Sequence, residues 1–392
     1  MCSFPREIRG RDQGSGASTR TPPAPTAING ARRGEKMGVS LMDKTELNVT
    51  AHLGSTSQPS AAPLARSVQA SEGGPTMKEH VWPLTAGINR SRDFARKKLA
   101  THTANVGLIC GHGCLYCSSR SVLRCHRAFK VLGLNPFDEG YCIVDPQTPL
   151  RLMNDVHKTY ASDVIMFCST SDGWAPEAQS LNLGEQCLRV LLEHGRSVVR
   201  VLTKNAAVTG AYDLMARYRN RVRLGLSLTA PKSAEALMKV LEPHASTISE
   251  RFAALKEAHE RGLRTYGMFC PCLPGIADSP EALEEMFAAA VECGTEDIWL
   301  EPVNARGKGI VRCAEALAQA GFTAAAHAAD AVRHEAAWNE YAINLVKAAQ
   351  VVAVGSGVID RLHVLLYANR FTSDAQETLN TDPRGIVWLK KQ

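Results

Sequence analysis

The chain has no apolar run approaching the roughly 20 residues that a membrane-crossing helix needs. Nor does an apolar stretch of signal-peptide type follow its N-terminal arginines. A cytoplasmic protein without membrane contact is the expectation. Strong charge of either sign is also missing, and a net charge of +6 over 392 residues permits nucleic-acid contact without demanding it. Large apolar residues are scarce in residues 1–80, for example in DQGSGASTRTPPAPTAINGARRGEK and GSTSQPSAAPLARS. Such composition buries too little to offset the entropy of ordering, so a disordered extension is expected over 1–80. Met37, Met42 and Met77 are later possible starts.

Cysteine, by contrast, is plentiful. Twelve cysteines without a signal peptide fit a reducing compartment, where thiols stay free or bind metal. Cys142, Cys168, Cys187, Cys293 and Cys313 sit inside apolar or helical patterns and read as small buried residues. Cys270 and Cys272 in MFCPCLPG have no further ligand pair to complete a second metal site.

Cys110, Cys114 and Cys117, in NVGLICGHGCLYCSSR, form a C-x3-C-x2-C run with no fourth thiol. Iron–sulfur clusters of the 4Fe-4S type usually take one thiolate per iron, so three ligands leave one iron open to a small molecule. The alternative is a structural zinc site completed by His112, His102 or His126. Zinc knuckles usually bring two separated ligand pairs, whereas these three cysteines crowd into eight residues. A non-enzymatic zinc- and nucleic-acid-binding protein is therefore the rival reading.

Beyond the loop the pattern alternates strand and helix. Strands are expected at 105–109, 163–168, 197–203, 222–228, 264–270 and 297–302, and helices at 119–132, 180–194, 209–218, 246–261, 280–293 and 327–350. Ser279-Pro280 marks a helix start, and Gly262 and Gly294 mark helix ends. Six βα units in series imply an α/β fold with a parallel sheet, a partial (β/α)6 barrel whose functional residues gather at the carboxyl ends of the strands. The expected division is 1–80 extension, 81–310 core barrel and 311–392 a C-terminal helix with added strands, among them VVAVGSGVIDRLHVLLYANRF.

The cysteine run, with Tyr116 directly before its third member, resembles the radical SAM enzymes. The blocks STSDGWAPEAQ, VLTKN, GLSLT, LEPHASTISERFAAL, PCLPGIAD and EPVNARG extend the resemblance to the spore photoproduct lyase-like, or DNA repair photolyase-like, branch. It implies a partial TIM-type barrel and a 4Fe-4S cluster on Cys110, Cys114 and Cys117. S-adenosylmethionine (SAM) would be cleaved there to a 5′-deoxyadenosyl radical that abstracts hydrogen. It further implies SAM contacts from Lys204, Ser227, Ser171 and Asp172, an electron donor such as a flavodoxin or ferredoxin, and a nucleic-acid lesion or base as substrate.

Arg251 is a candidate either for the cofactor or for a pair with Glu242. Glu301, Asn304 and Arg306 are candidates for the substrate side. Two departures stand out. Spore photoproduct lyases carry a second tyrosine where this chain has Ser118. Their hydrogen-returning cysteine falls at Ser169; Cys168, one residue away, is with Tyr116 the catalytic candidate here, and on a strand it would face away from the pocket unless the loop is offset. Arg120, Arg124, Arg127 and Lys130 fall at near-helical spacing and read as either a solvated helix face or a phosphate-binding one.

Overall fold

A computed structural model describes residues 65–68, 77–305 and 307–389, all within one compact unit, Ala61–Gln392. Most of the stretch read as disordered, 1–64 and 69–76, and also Arg306, lie outside the described residues; 65–68 and 77–80 are strand.

The main sheet holds eight parallel strands: β1 His102–Ala104, β2 Val164–Phe167, β3 Val198–Thr203, β4 Val222–Ser227, β5 Thr265–Cys272, β6 Thr295–Pro302, β7 Leu362–Tyr367 and β8 Ile386–Leu389. They lie in sequence order, and an antiparallel two-residue strand, Asn89–Arg90, edges β1. No ladder joins β8 back to that edge, so the sheet curls without closing. This is the expected partial barrel, with β7 and β8 prolonging it in the same parallel sense.

Alternation along the strands separates two apolar cores. One face packs on the helices through residues such as Ile165, Val199, Leu224, Phe269 and Leu300. The other fills the barrel's interior with Met166, Tyr266, Met268, Trp299, Leu365 and Val387, joined by Leu99 and Ala100. Gly225 in β4 is required by this interior. A Cβ there would overlap the Tyr266 ring, which lies across the strand and donates its hydroxyl to the Val201 carbonyl at 2.9 Å.

The helices follow their local signals. The Ser279 hydroxyl caps Pro280–Glu292, and Thr247 with Glu250 forms a reciprocal capping box on Ile248–Glu260. Gly262 and Gly294 take left-handed backbone past the helix ends.

Four sequence expectations differ from the structure. The run at 105–109 is not the first barrel strand: β1 precedes it, and Gly107–Ile109 pairs with Tyr141–Val144 in a separate four-stranded sheet with 65–68 and 77–81. The apolar run hides the break, which falls at Asn105. Its side-chain oxygen accepts from the backbone N–H of Ser169 and Thr170, both at 2.8 Å, and from that of Ser171 at 3.3 Å. The helix read over 119–132 splits into Ser119–Val122 and Arg127–Leu132. Residues 351–355, read with the added strands, end the long helix Glu335–Gly355 instead. Lys308–Gln319 and Thr323–Ala331 are helices that the pattern did not separate.

Candidate functional site

The carboxyl ends of β2 to β7 open on one cavity of about 260 Å³, where side chains can be varied without disturbing the sheet. The cysteine loop forms one wall: Cys110, Cys114, Tyr116 and Cys117 all line it. The opposite walls carry Ser171 and Asp172 after β2, Lys204 after β3, Ser227 of β4, Met268 and Cys270 of β5, and Glu301 of β6. Eight of the expected site residues, Cys110, Cys114, Cys117, Tyr116, Lys204, Ser171, Asp172 and Ser227, thus meet in one space, and Cys168 also borders it.

The loop is held by the segment just before Ile248–Glu260. Leu115 N–H donates to the Leu241 carbonyl at 3.0 Å, and His244 N–H to the His112 carbonyl at 3.3 Å. Between these anchors lies Glu242, fully buried. Its carboxylate accepts from the Tyr116 hydroxyl, from the Arg251 guanidinium and from Thr229 Oγ1 at 3.0 Å, with Lys204 Nζ at 3.5 Å. Arg251 is therefore off the cavity wall. It pairs with Glu242 and donates to the Ser227 carbonyl at 3.0 Å and the Ser246 carbonyl at 2.8 Å. Burial lowers the Lys204 pKa to about 8, and Arg251 pushes the same way against the attraction of Cys114 and Asp172.

A second buried pair lies behind the loop. His112 Nε2 is 2.9 Å from Asp172 Oδ2 and His112 Nδ1 is 3.0 Å from the His244 carbonyl, so both ring nitrogens face acceptors. Burial opposes the imidazolium, but the charge and hydrogen bond of Asp172 outweigh it and the His112 pKa is raised. Asp172 also accepts from Thr203 Oγ1 at 2.8 Å, Lys204 N–H at 2.8 Å and Trp174 N–H at 2.9 Å. Although burial works against it, these partners hold its pKa down. Ser171 Oγ accepts from Val106 N–H at 3.1 Å. Beneath Cys110, Glu177 accepts from Gly111 N–H at 3.0 Å, and burial raises its pKa to about 7.

Both His112 and Glu177 escaped sequence reasoning as buried loop anchors, since His112 read only as a zinc ligand and Glu177 as one residue of a block. Lys97 was missed altogether. It enters the cavity from ahead of β1, with Nζ 3.8 Å from Glu301 and 5.4 Å from the Tyr367 ring centroid. A lysine in a charged stretch, RSRDFARKK, carries no signal of burial.

Cys168 has a left-handed backbone, φ 73°, at the end of β2. Its thiol accepts from Gly173 N–H at 3.0 Å and packs in the outer core, although the residue borders the cavity. Ser169 lines the cavity beside it. Cys270 and Cys272 diverge, the first to the cavity and the second to the outer core. The four basic residues after the loop do not share a face: Arg120 is buried, donates to the Asp138 carbonyl and stacks on Tyr141, while Arg127 lies over Trp82.

The donor set fits an iron–sulfur cluster. Three thiols, none in a disulfide, share one wall, each half-buried. Among the described residues no group of three or more His, Cys, Asp or Glu is placed to hold a metal ion. No helix among them is long and apolar enough to cross a membrane.

No family model matches the chain. It is 23% identical over 179 residues to an uncharacterized protein, MJ0683, of Methanocaldococcus jannaschii, which covers 46% of this chain and 63% of that protein. It is 22% identical over 210 residues to the uncharacterized protein ORF301 of Acidianus two-tailed virus, 52% of this chain and 67% of the other. Among solved structures, a cysteine-to-serine mutant of spore photoproduct lyase matches at TM-score 0.44 with 16% identity, over 62% of this chain and 66% of the other. A radical SAM methyltransferase from Sphaerobacter thermophilus matches at TM-score 0.36 with 18% identity, over 66% and 74%. The chain thus spans a little under two thirds of the first relative and of the first of these structures.

Proposed function

We propose that this protein is a radical SAM enzyme whose 4Fe-4S cluster is held by Cys110, Cys114 and Cys117, with SAM in the cavity they border. The observation that carries this reading is the convergence of three unpaired thiols with Lys204, Ser227 and Asp172 at the carboxyl ends of parallel strands. Such a cluster, when bound, supplies the electron that cleaves SAM to a 5′-deoxyadenosyl radical.

The chain's own residues prepare that space. Tyr116, tied to Glu242, fixes the backbone between the second and third thiols. Lys204, near Glu242 and above the Tyr116 ring at 5.7 Å, offers a cation for the SAM carboxylate. Asp172, engaged by His112, Thr203 and backbone N–H groups, sets the wall near the methionyl end. A nucleic-acid lesion or base is the substrate class in this reading, a flavodoxin or ferredoxin type donor its electron source, and the cytoplasm its compartment.

Anaerobic reconstitution, dithionite reduction with SAM and chromatographic assay of 5′-deoxyadenosine test it. Formation of deoxyadenosine that disappears in Cys114→Ala is the expected result. Bound zinc without iron, and intact SAM, would overturn the reading in favour of a metal-stabilised binding protein.

A further inference from the structure

The segment after the third thiol carries charge that the cavity does not use. No acidic residue occurs between Asp93 and Asp138, and the stretch after Cys117 holds the cations Arg120, Arg124, Arg127 and Lys130. Arg120 turns inward to the carbonyls of Pro136 and Asp138. The remaining three are exposed, and beside them Val122 is 69% and Val131 60% exposed. Arg124 stands in the turn between the helices Ser119–Val122 and Arg127–Leu132, and Arg127, Lys130 and Val131 share one face of the second helix at i, i+3 and i+4.

Exposed Lys308 extends this patch. A Cβ on Gly307 would meet Ser121 Oγ at 3.4 Å, so the start of the helix Lys308–Gln319 abuts Ser119–Val122. Among the described residues none of Arg124, Arg127, Lys130 and Lys308 is in an ion pair. The acids next in sequence are already engaged, Asp138 by Asn135 Nδ2 at 2.8 Å and Glu139 by Arg312 at 3.0 Å.

Cations without counter-ions, bare valines and a half-buried aromatic, Trp82 under the Arg127 guanidinium, have the composition of a protein-contact surface. Phosphate backbones are gripped by the cations and gain little from the valines, whereas an acidic protein surface uses both. Ser118 alone separates Cys117 from the first of the two helices, so the patch starts about one helical turn from the thiol. None of Val122, Arg124, Arg127, Lys130 and Val131 lines the cavity. A partner seated here reaches the cysteine loop without occupying the space assigned to SAM.

We infer that this patch docks an acidic one-electron carrier protein, which passes one electron to the cluster proposed above and departs oxidised by that one electron. The inference deepens the radical SAM reading and rests on it for the electron's destination. Such contacts are small and steered by charge, which lets a spent carrier exchange for a fresh one.

Two measurements test it, with a flavodoxin, an acidic flavoprotein, as the probe. Isothermal titration follows its binding to the apo-form of the full chain at low and high salt. Deoxyadenosine formation by the reconstituted chain is then compared with reduced flavodoxin and with dithionite as reductant. Flavodoxin is expected to bind at low salt and to weaken as salt rises. Arg124→Glu combined with Lys130→Glu, both at exposed positions, is expected to weaken binding on the order of ten-fold and to slow the flavodoxin-driven reaction, with the dithionite-driven rate unchanged.

Absent flavodoxin binding at low salt, binding indifferent to salt, or unchanged affinity in the double variant overturns the inference. A duplex oligonucleotide that binds more tightly than flavodoxin and is released by the same substitutions overturns it too, and gives the patch to nucleic acid. Wild-type protein that forms no deoxyadenosine even with dithionite sinks the radical SAM reading instead, and charge-dependent binding to the apo-form then leaves the docking surface standing.

Discussion

The Tyr116 hydroxyl donates to the Glu242 carboxylate, and through that bond the aromatic residue between two of the thiols is tied to the buried guanidinium of Arg251. One fully buried carboxylate thus joins the cysteine loop, the end of β4 and the start of the helix Ile248–Glu260.

Removing one partner of such a pair leaves a charge or an acceptor buried and unmatched, which costs about 3–5 kcal/mol. Arg251→Met is expected to lose about that much in urea unfolding of the apo-protein. The double variant Glu242→Leu with Arg251→Met is expected to recover most of it, and losses that simply add in the double variant would contradict the coupling.

His112 and Asp172 titrate in opposite senses. The raised His112 pKa contributes stability that is present in full below its unfolded value, near pH 6.5, and is lost as pH rises through the folded value. The lowered Asp172 pKa contributes stability present above about pH 4 and lost as pH falls through its folded value. Urea unfolding of the apo-protein across this range is expected to show both limbs, and Asp172→Asn to flatten them.

Glu177 adds to the alkaline limb. With its pKa raised to about 7, its neutral form stabilises the fold fully below the unfolded value near 4.5, and that contribution fades as pH climbs through 7. Glu177→Gln keeps an acceptor for Gly111 N–H and is expected to remove this fading. An unchanged pH profile would show that Glu177 is ionised in the fold at neutral pH.

Gly225→Ala drives a methyl group into the Tyr266 ring. Overpacking of this kind costs about 1–3 kcal/mol. A lowered melting temperature, partly restored by Tyr266→Leu, is the expected outcome; equal melting temperatures would mean the ring has room to move.

Cys168→Ala is expected to cost stability on the order of 1 kcal/mol by emptying a small buried volume, while leaving iron content and deoxyadenosine formation unchanged. Loss of iron in that variant would place the thiol among the cluster ligands.

Much of this was legible in the sequence because it is periodic or local. The β-branched runs mark the parallel strands from β2 to β6, and Ser279-Pro280, Gly262 and Gly294 mark helix ends from neighbouring residues alone. The cysteine spacing isolates the loop that walls the cavity. What stayed hidden depends on distant partners. Asn105 divides one apolar run between two sheets only because it meets residues 169–171, more than sixty positions away. Lys97 looks like surface charge until Glu301 and Tyr367 are brought beside it. The near-helical spacing of Arg120, Arg124, Arg127 and Lys130 misleads because the helix it assumes is interrupted.

The sheet's failure to close has a mechanical consequence. A closed barrel has its bore fixed by strand number and stagger. Here the seam between Asn89–Arg90 and β8 carries no ladder, and side chains such as Leu99, Ala100, Val387 and Leu389 share the apolar cluster beside it. Across that seam the margins meet through apolar side chains, with no backbone hydrogen bonds between them. The vessel's girth is therefore held at that seam by side-chain packing and not by a strand ladder.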